Sequence, residues 1–190
     1  NMCKEACYYL PQDVYDALVK GKETEESPLG RDVLDQIIRN ADIARSEDRP
    51  ICQDTGMTVV FMEIGQDVQF AGGNLIDAVN AGVAKGYIEG YLRKSVVAEP
   101  LFDRKNTTNN TPAVIYTDIV PGDKLKIKLA PKGFGSENKS ALKMLVPADG
   151  IEGVKKVVLD TVIHAGENPC PPIVVGVGIG GTMDKAAVLS

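Results

Sequence analysis

Residues 50–64 read PICQDTGMTVVFMEI, a tight polar loop that runs directly into a series of apolar residues. Pro50 stiffens the start of the loop, and a thiol, an amide, a carboxylate and a hydroxyl follow in close succession. The apolar residues at 58–64 precede a turn signal, GQD at 65–67, and this pattern predicts a buried strand. The sequence therefore collects reactive side chains at the mouth of a buried strand.

Capping signals on either side of the loop predict three helices. Pro11 is suited to the first turn of one helix, and Ser27, followed by a proline, caps a second. Asn74 caps a third, which the apolar periodicity extends to about Leu92. This third helix carries glycines at 82, 86 and 90. Because each glycine weakens a helix, three on one face imply that a neighbouring backbone packs close to it.

The second half of the chain predicts further strands and helices. The segments 113–120 and 125–130, joined by Pro-Gly-Asp, are typical of a hairpin with one face in the core. A helix is predicted over 153–165, followed by a strand at IVVGVG, residues 173–178, and the start of another helix. We expect an α/β fold, a mixed sheet with an antiparallel hairpin flanked by helices. We also expect a single domain over 1–190 that is truncated at its C-terminus, because the last predicted helix is unfinished at Ser190.

The composition of the 190 residues argues against several classes of protein. The net charge is -5 and the basic residues are scattered, so nucleic acid and anionic membrane surfaces are poor partners. No apolar run approaches the roughly 20 residues of a membrane helix, and the first residues lack the features of a secretory signal. Four cysteines are too few for a disulfide scaffold. We therefore expect a cytoplasmic protein with free thiols.

The cysteines and the only histidine, His164, limit the possible chemistry. One histidine argues against a His-rich zinc site, and a Ser-His-Asp triad within this chain would have to use it. Cys3 and Cys7 are four positions apart and would share one face of a helix, which is typical of packing in a core. Cys52 and Cys170 each lie in a proline-containing loop before an apolar run. Each is therefore either a packed thiol or a ligand of a metal or iron–sulfur cluster.

Other segments allow either a binding role or an ordinary surface role. Residues 106–111, NTTNNT, are typical of a solvated polar loop. KGFGSENK at 132–139 forms a surface turn or offers backbone amides to a small anion such as a carboxylate. Arg93 pairs either with a substrate carboxylate or with surface acids. GVGIGG at 176–181 matches a dinucleotide fingerprint, but the acidic residue expected about 20 positions later lies beyond Ser190.

Five motifs, taken together and in order, carry a resemblance to a known family. They are CQDTG, LRKS, LFDRKNTTNNTPA, KGFGSENKS and NPCPPIVVGVGIGGT. They resemble the α subunit of the two-subunit class I fumarate hydratases and the related L-tartrate dehydratase α subunit. The resemblance extends from about Tyr8 to Ser190. It does not separate fumarate enzymes from tartrate enzymes, and it implies a later family segment that this chain lacks.

The resemblance implies a catalytic centre built on a [4Fe-4S] cluster. Cys52 and Cys170 match two of its three cysteine ligands, and the third ligand belongs to the later segment. A catalytic histidine also comes from that segment, so His164 is expected to be an ordinary residue near a helix end. Without the third ligand, this chain alone is not expected to hold an intact cluster.

The same resemblance implies the substrate contacts and the partners. Gln53 and Asp54 are expected to act in catalysis and, with Arg93 and Gly135, to bind a small dicarboxylate. A β subunit supplies the remaining residues, so an α2β2 assembly or a homo-oligomer is expected, and this chain alone is expected to be inactive. The expected reaction is the reversible hydration of fumarate to L-malate. An L-tartrate dehydratase α subunit and a non-catalytic fragment that only binds a partner are the alternatives.

Overall fold

The computed structural model describes residues 1 to 190, which form two compact units, Asn1–Gly133 and Phe134–Ser190. The prediction of a single domain over 1–190 stays a prediction. The first unit contains four helices and a three-stranded sheet, and the second contains three helices and a 3₁₀ turn at Pro147–Asp149. In chain order the elements are α1 (Met2–Tyr8), α2 (Gln12–Thr24), α3 (Pro28–Glu47), β1 (Met57–Gly65), α4 (Leu75–Glu89), β2 (Val114–Val120), β3 (Leu125–Lys132), α5 (Phe134–Glu137), α6 (Gly150–Ala165) and α7 (Met183–Leu189).

The predicted caps start the two longest helices of the first unit. At the start of α3, Ser27 Oγ accepts a hydrogen bond from Gly30 N at 3.3 Å. At the start of α4, Asn74 Oδ1 accepts from Ile76 N at 2.8 Å and from Asp77 N at 3.2 Å. These side chains satisfy amides that a helix leaves unpaired, so the predicted starts are confirmed. No helix in the structure is both long enough and apolar enough to cross a membrane.

The sheet has the strand order β2-β1-β3, with β1 parallel to β2 and antiparallel to β3. The expected mixed α/β fold is confirmed, but the predicted hairpin between β2 and β3 is wrong because β1 lies between them. The turn after β1 explains this order. Gln66 N donates to Val120 O at 2.8 Å, and Asp67 N donates to Gly122 O at 2.9 Å. These bonds hold the β2–β3 connection across the end of β1.

The core of the first unit consists of two apolar clusters on the sheet and its helices. β1 alternates as a half-buried strand should, with Val60, Met62 and Ile64 facing α4 and the core. Leu129 on β3 packs against both clusters. The second cluster joins α1 to α4 and comprises Cys3, Cys7, Tyr8, Val83, Tyr87 and Leu92.

The glycine-containing face of α4 is closely packed over only part of its length. A methyl group built on Gly86 would lie 3.0 Å from Cys3 Cβ, so α1 approaches α4 here. Nothing lies within 4 Å of the same position on Gly82. The predicted close packing is confirmed at Gly86 and wrong at Gly82, because α1 has 7 residues and covers only part of the 15-residue α4.

Cys3 and Cys7 are buried packing residues, as their spacing predicted. Burial raises the pKa of the Cys7 thiol from an ordinary 9.0 to about 12, and the neighbouring thiols of Cys3 and Cys52 add to this effect. The folded protein therefore keeps this proton at a pH where the unfolded chain loses it. The resulting stability is present below pH 9.0 and is lost as the pH rises towards 12.

Because the Cys7 thiol ionises in the unfolded chain but not in the folded protein, it should lower the free energy of unfolding by about 1.4 kcal/mol per pH unit above pH 9.0. Urea unfolding at a series of pH values checks this, because the stability of a Cys7→Ala variant should fall less steeply. Val83→Ala is the control. It shortens a side chain of the same cluster without removing a titrating group, so its curve should stay parallel to that of the unchanged protein. A parallel curve for Cys7→Ala would contradict the prediction.

The second unit contains the helix predicted over 153–165, which is α6. Gly166 ends it with a φ of 55°, as the sequence predicted. The predicted strand at 173–178 is wrong, since these residues form no strand. A strand needs a hydrogen-bonded neighbour, and the three strands of the structure pair only among themselves. Val174, at 81% exposed, shows how little of this apolar run is packed within the chain.

Candidate active site

The cysteine loop, residues 50–56, is anchored where it begins. Ile51 N donates to Cys7 O at 2.9 Å, and Asn40 Nδ2 donates to Ile51 O at 2.9 Å. These bonds fix the residue before Cys52 to α1 and α3. The Cys52 side chain is left half-buried at the edge of the unit.

The Cys52 sulfur has one hydrogen bond to each of the next two residues. Asp54 N donates to Cys52 Sγ at 3.4 Å, and an N–H group directed at sulfur stabilises negative charge on it. The Cys52 thiol in turn donates to Gln53 Oε1 at 3.5 Å, and Gln53 is exposed. The loop therefore presents a thiol, an amide and a carboxylate together at the start of β1.

The end of the cysteine loop is buried and tightly held. Tyr87 OH donates to Thr55 O at 2.6 Å, and burial raises the pKa of this phenol, so it remains a donor. Gly56 has a φ of 55°, a conformation that favours glycine. A methyl group built on Gly56 would lie 2.6 Å from Gly133 N. The chain at the end of β3 therefore packs directly on the loop.

Arg93 lies next to the cysteine loop. Thr55 Oγ1 donates to Arg93 O at 3.0 Å, while the Arg93 side chain is exposed. The Asp54 carboxylate packs against Gly133, where an added methyl group would lie 3.1 Å from Asp54 Oδ2. Within one unit, the structure brings together the predicted site residues Cys52, Gln53, Asp54 and Arg93. Their chemical roles stay predictions.

The remaining predicted site residues lie in the second unit. Gly135 belongs to α5, a short helix within the segment that was expected to be a turn or an anion-binding loop. Cys170 is exposed and follows α6. His164 lies in the last turn of α6, the helix-end position expected of it. The predicted roles of Gly135 towards substrate and of Cys170 towards a cluster stay predictions.

The GVGIGG segment lacks the setting of a dinucleotide fingerprint. That motif requires a strand before it and a helix after it. No strand precedes it in the structure, and the helix that follows, α7, has 7 residues. The interpretation of this segment as a dinucleotide-binding motif therefore has no structural support.

Sequence reasoning missed Asn110, which belongs to NTTNNT at 106–111. The predicted solvated loop is confirmed for Asn106 and Thr108, which are exposed, but Asn110 is 0% exposed. Its φ of 61° is left-handed, which asparagine tolerates. Repeated asparagines signal such turns, but they do not reveal which asparagine faces inwards.

The chemistry of the cysteine loop fits a ligand of an iron–sulfur cluster. Such ligands need thiolates in fixed positions and hydrogen bonds directed at sulfur. Cys52 has an anchored backbone on its N-terminal side and the Asp54 amide on its sulfur. No group of three or more histidine, cysteine or acidic side chains in the structure is arranged to hold a metal ion. That Cys52 is a ligand of such a cluster stays a prediction.

Comparison with known proteins identifies the family. The profile of the fumarate hydratase (Fumerase) family matches residues 1–190. A Methanocaldococcus jannaschii protein, provisionally named L(+)-tartrate dehydratase subunit alpha, is 45% identical over 100% of this chain and 68% of its own length. The L(+)-tartrate dehydratase α subunits of Escherichia coli O157:H7 and K12 are 36% and 34% identical over 95% of this chain. The chain covers 60% of the length of each. On this match over its whole length, the chain belongs to the fumarate hydratase family.

Proposed function

We propose that the chain is part of the α subunit of a hydro-lyase that reversibly adds water to fumarate to form L-malate. The observation that carries the proposal is the anchored loop that presents Cys52 and Asp54 beside Arg93. Membership of the fumarate hydratase family supports hydro-lyase chemistry. The relatives are named as α subunits, which supports a β subunit as the partner.

The reaction requires a stabilised leaving group and the transfer of a proton. Dehydration of L-malate breaks the C–O bond at C2 and removes a proton from C3, next to a carboxylate. When bound, a [4Fe-4S] cluster supplies a Lewis acid for the hydroxyl oxygen, and Cys52 and Cys170 would contribute two of its ligands. Arg93 would pair with a substrate carboxylate and hold the substrate beside the cysteine loop.

Gln53 and Asp54 orient the substrate, because they extend from the same loop as Cys52. The Gln53 amide donates hydrogen bonds to a carboxylate or hydroxyl oxygen of the substrate. The Asp54 carboxylate accepts a hydrogen bond from the substrate hydroxyl or from the attacking water, and it can hold a proton at that oxygen. Gly135 would offer a backbone amide to the second carboxylate.

L-tartrate is the second candidate substrate, because relatives that align with nearly the whole chain are named tartrate dehydratases. L-malate and L-tartrate are four-carbon dicarboxylates with a hydroxyl at C2, and L-tartrate carries a second hydroxyl at C3. The same thiol, carboxylate and guanidinium would serve both. The difference in specificity must therefore lie in contacts to the group at C3.

Anaerobic iron–sulfur reconstitution of the complete α subunit with its β subunit, followed by assays on fumarate and on L-tartrate, tests the proposal. Hydration of fumarate that disappears in air is the expected result. Activity on L-tartrate alone would support the hydro-lyase reaction, with L-tartrate as the substrate in place of L-malate and fumarate. Inactivity on both, with a cluster confirmed by its visible absorbance, would overturn the proposed reaction.

An Asp54→Asn variant is expected to lower turnover of the reconstituted enzyme by about 100-fold or more, since the amide cannot hold the proton. The cluster absorbance should persist, because the backbone N–H that donates to Cys52 Sγ is unchanged. Steady-state kinetics and absorbance on one preparation check both points. Asp67→Asn, in the exposed turn after β1, is the matched control and should change neither. Unchanged turnover in Asp54→Asn would remove this residue from catalysis.

A further inference from the structure

A single buried side chain, that of Asn110, connects the cysteine loop to the segment after α4. Its Oδ1 accepts hydrogen bonds from Ser95 N at 2.7 Å and from Val96 N at 3.2 Å. Its Nδ2 donates to Gly56 O at 2.9 Å. Both ends of the amide are therefore used, and each end holds a different segment.

The segment that follows α4 is also held at Arg93 and Lys94. Thr55 Oγ1 donates to Arg93 O at 3.0 Å from the cysteine loop. Asn106 Nδ2 donates to Lys94 O at 3.0 Å from the NTTNNT segment. Because the Arg93 side chain is exposed, the position of its guanidinium depends on how firmly this backbone is fixed.

The chemistry of the site requires an asparagine at position 110. An aspartate could accept from the two amides, but an ionised carboxylate could not donate to Gly56 O. A leucine of similar size could do neither. Asn110 is 0% exposed, so water cannot replace a missing bond, and an unsatisfied buried group is costly. The left-handed backbone at this position, with a φ of 61°, also suits asparagine.

We propose that Asn110 is a positioning residue that fixes Arg93 relative to the cysteine loop and thereby sets the affinity for a substrate carboxylate. This inference rests on the proposed function, in which Arg93 binds that carboxylate. A guanidinium pairs with a carboxylate through two parallel hydrogen bonds, so a small displacement weakens it. The loss falls on substrate binding, and it raises KM more than it lowers kcat.

The first test is an Asn110→Asp variant of the reconstituted αβ enzyme, which keeps the acceptor contacts and removes the donation to Gly56 O. We expect KM for fumarate or L-tartrate to rise about 10- to 100-fold, with kcat within about threefold of the unchanged enzyme. Thr55→Val removes the other link, from Thr55 Oγ1 to Arg93 O, and should also raise KM. If Asn110→Asp does not fold, Thr55→Val tests the proposal in its place. An unchanged KM in a folded variant would overturn the proposal.

Two controls separate positioning from general loss of stability. Ile64→Ala truncates a core residue at the far end of β1, so it should lower the melting temperature without changing KM. An equal rise of KM in Ile64→Ala would overturn the proposal. Asn109→Asp changes the neighbouring amide, whose Oδ1 accepts only from Thr111 within the same segment. Aspartate can keep that acceptor, so KM should not change.

Hydrogen exchange of the metal-free subunit gives a readout that does not depend on activity. In Asn110→Asp, amides in peptides covering 50–57 and 93–97 should exchange about tenfold faster, while the α3 amides stay unchanged. Equal exchange in both proteins would overturn the link itself. If the unchanged enzyme acts on neither dicarboxylate, the proposed function fails, and faster exchange in the variant would still support the link.

Discussion

Replacing Cys52 with alanine is expected to lower hydration of fumarate by about 1,000-fold or more in the reconstituted αβ enzyme, because a metal Lewis acid contributes several kcal/mol to the transition state. Cys52 is suited to hold that metal. Its loop is anchored through Ile51 N to Cys7 O, and its sulfur receives the Asp54 amide. Alanine removes the thiol and with it the bond from the Asp54 amide, but both hydrogen bonds of the Ile51 backbone remain. The fold should therefore persist while the iron–sulfur cluster is lost.

Iron content and visible absorbance of the purified variant check this prediction alongside the rate. Cys3→Ala is the matched control, since Cys3 is a buried thiol in the hydrophobic core between α1 and α4. It should keep its iron and its rate and lose only stability. Full activity and full iron content in Cys52→Ala would show that this thiol is not a ligand. Loss of iron and of activity in Cys3→Ala would show that removing a thiol acts by disturbing the fold and not by removing a ligand.

Most of the helices and the cysteine loop could be predicted from the sequence because their signals are local. Ser27 and Asn74 each cap a helix through amides two or three residues away. Cys52, Gln53 and Asp54 are adjacent in the chain, so any fold that forms this loop brings them together. Such short-range contacts depend little on the rest of the structure.

The strand arrangement could not be predicted because pairing between strands is long-range. β2 and β3 are close in sequence and resemble a hairpin, but both pair with β1. Their connection instead bonds to the turn at Gln66 and Asp67. The run at 173–178 shows the same limit, since an apolar sequence becomes a strand only where a neighbour accepts its hydrogen bonds.

The residue types of the site could be predicted from the sequence, but most of the contacts that position them could not. Arg93 could be suggested as a carboxylate ligand, but its contact with Thr55 joins residues 38 positions apart. The bond from Asn110 to Gly56 joins residues 54 positions apart. No local pattern indicates which asparagine of NTTNNT is buried, because that depends on where the cysteine loop and the segment after α4 meet.

Substituting alanine for Gly56 is expected to lower the free energy of unfolding by about 3 kcal/mol or more. The backbone at Gly56 has a φ of 55°, which costs any residue with a Cβ. The added methyl group would also lie 2.6 Å from Gly133 N and closer still to Lys132 O. These are backbone atoms at the end of β3, so no change of rotamer relieves the clash.

Thermal unfolding followed by circular dichroism measures the effect, and we expect the melting temperature to fall by about 6–12 °C. Gly82→Ala is the matched control. Gly82 lies within α4 with nothing within 4 Å of its added methyl group, so this change should raise stability by about 1 kcal/mol. A melting temperature of Gly56→Ala equal to that of the unchanged protein would contradict the close approach of β3 to the loop.

The Gly56→Ala variant should also lose function beyond its loss of stability. Gly56 O accepts the bond from Asn110 Nδ2, and Asp54 packs against Gly133. Moving the loop away from β3 therefore weakens both contacts at once and displaces Cys52, which precedes them. We expect a lower iron content after reconstitution, measured below the melting temperature of the variant. Normal iron binding in a destabilised variant would mean that the ligand position tolerates movement of the loop, and that the packing against β3 serves stability alone.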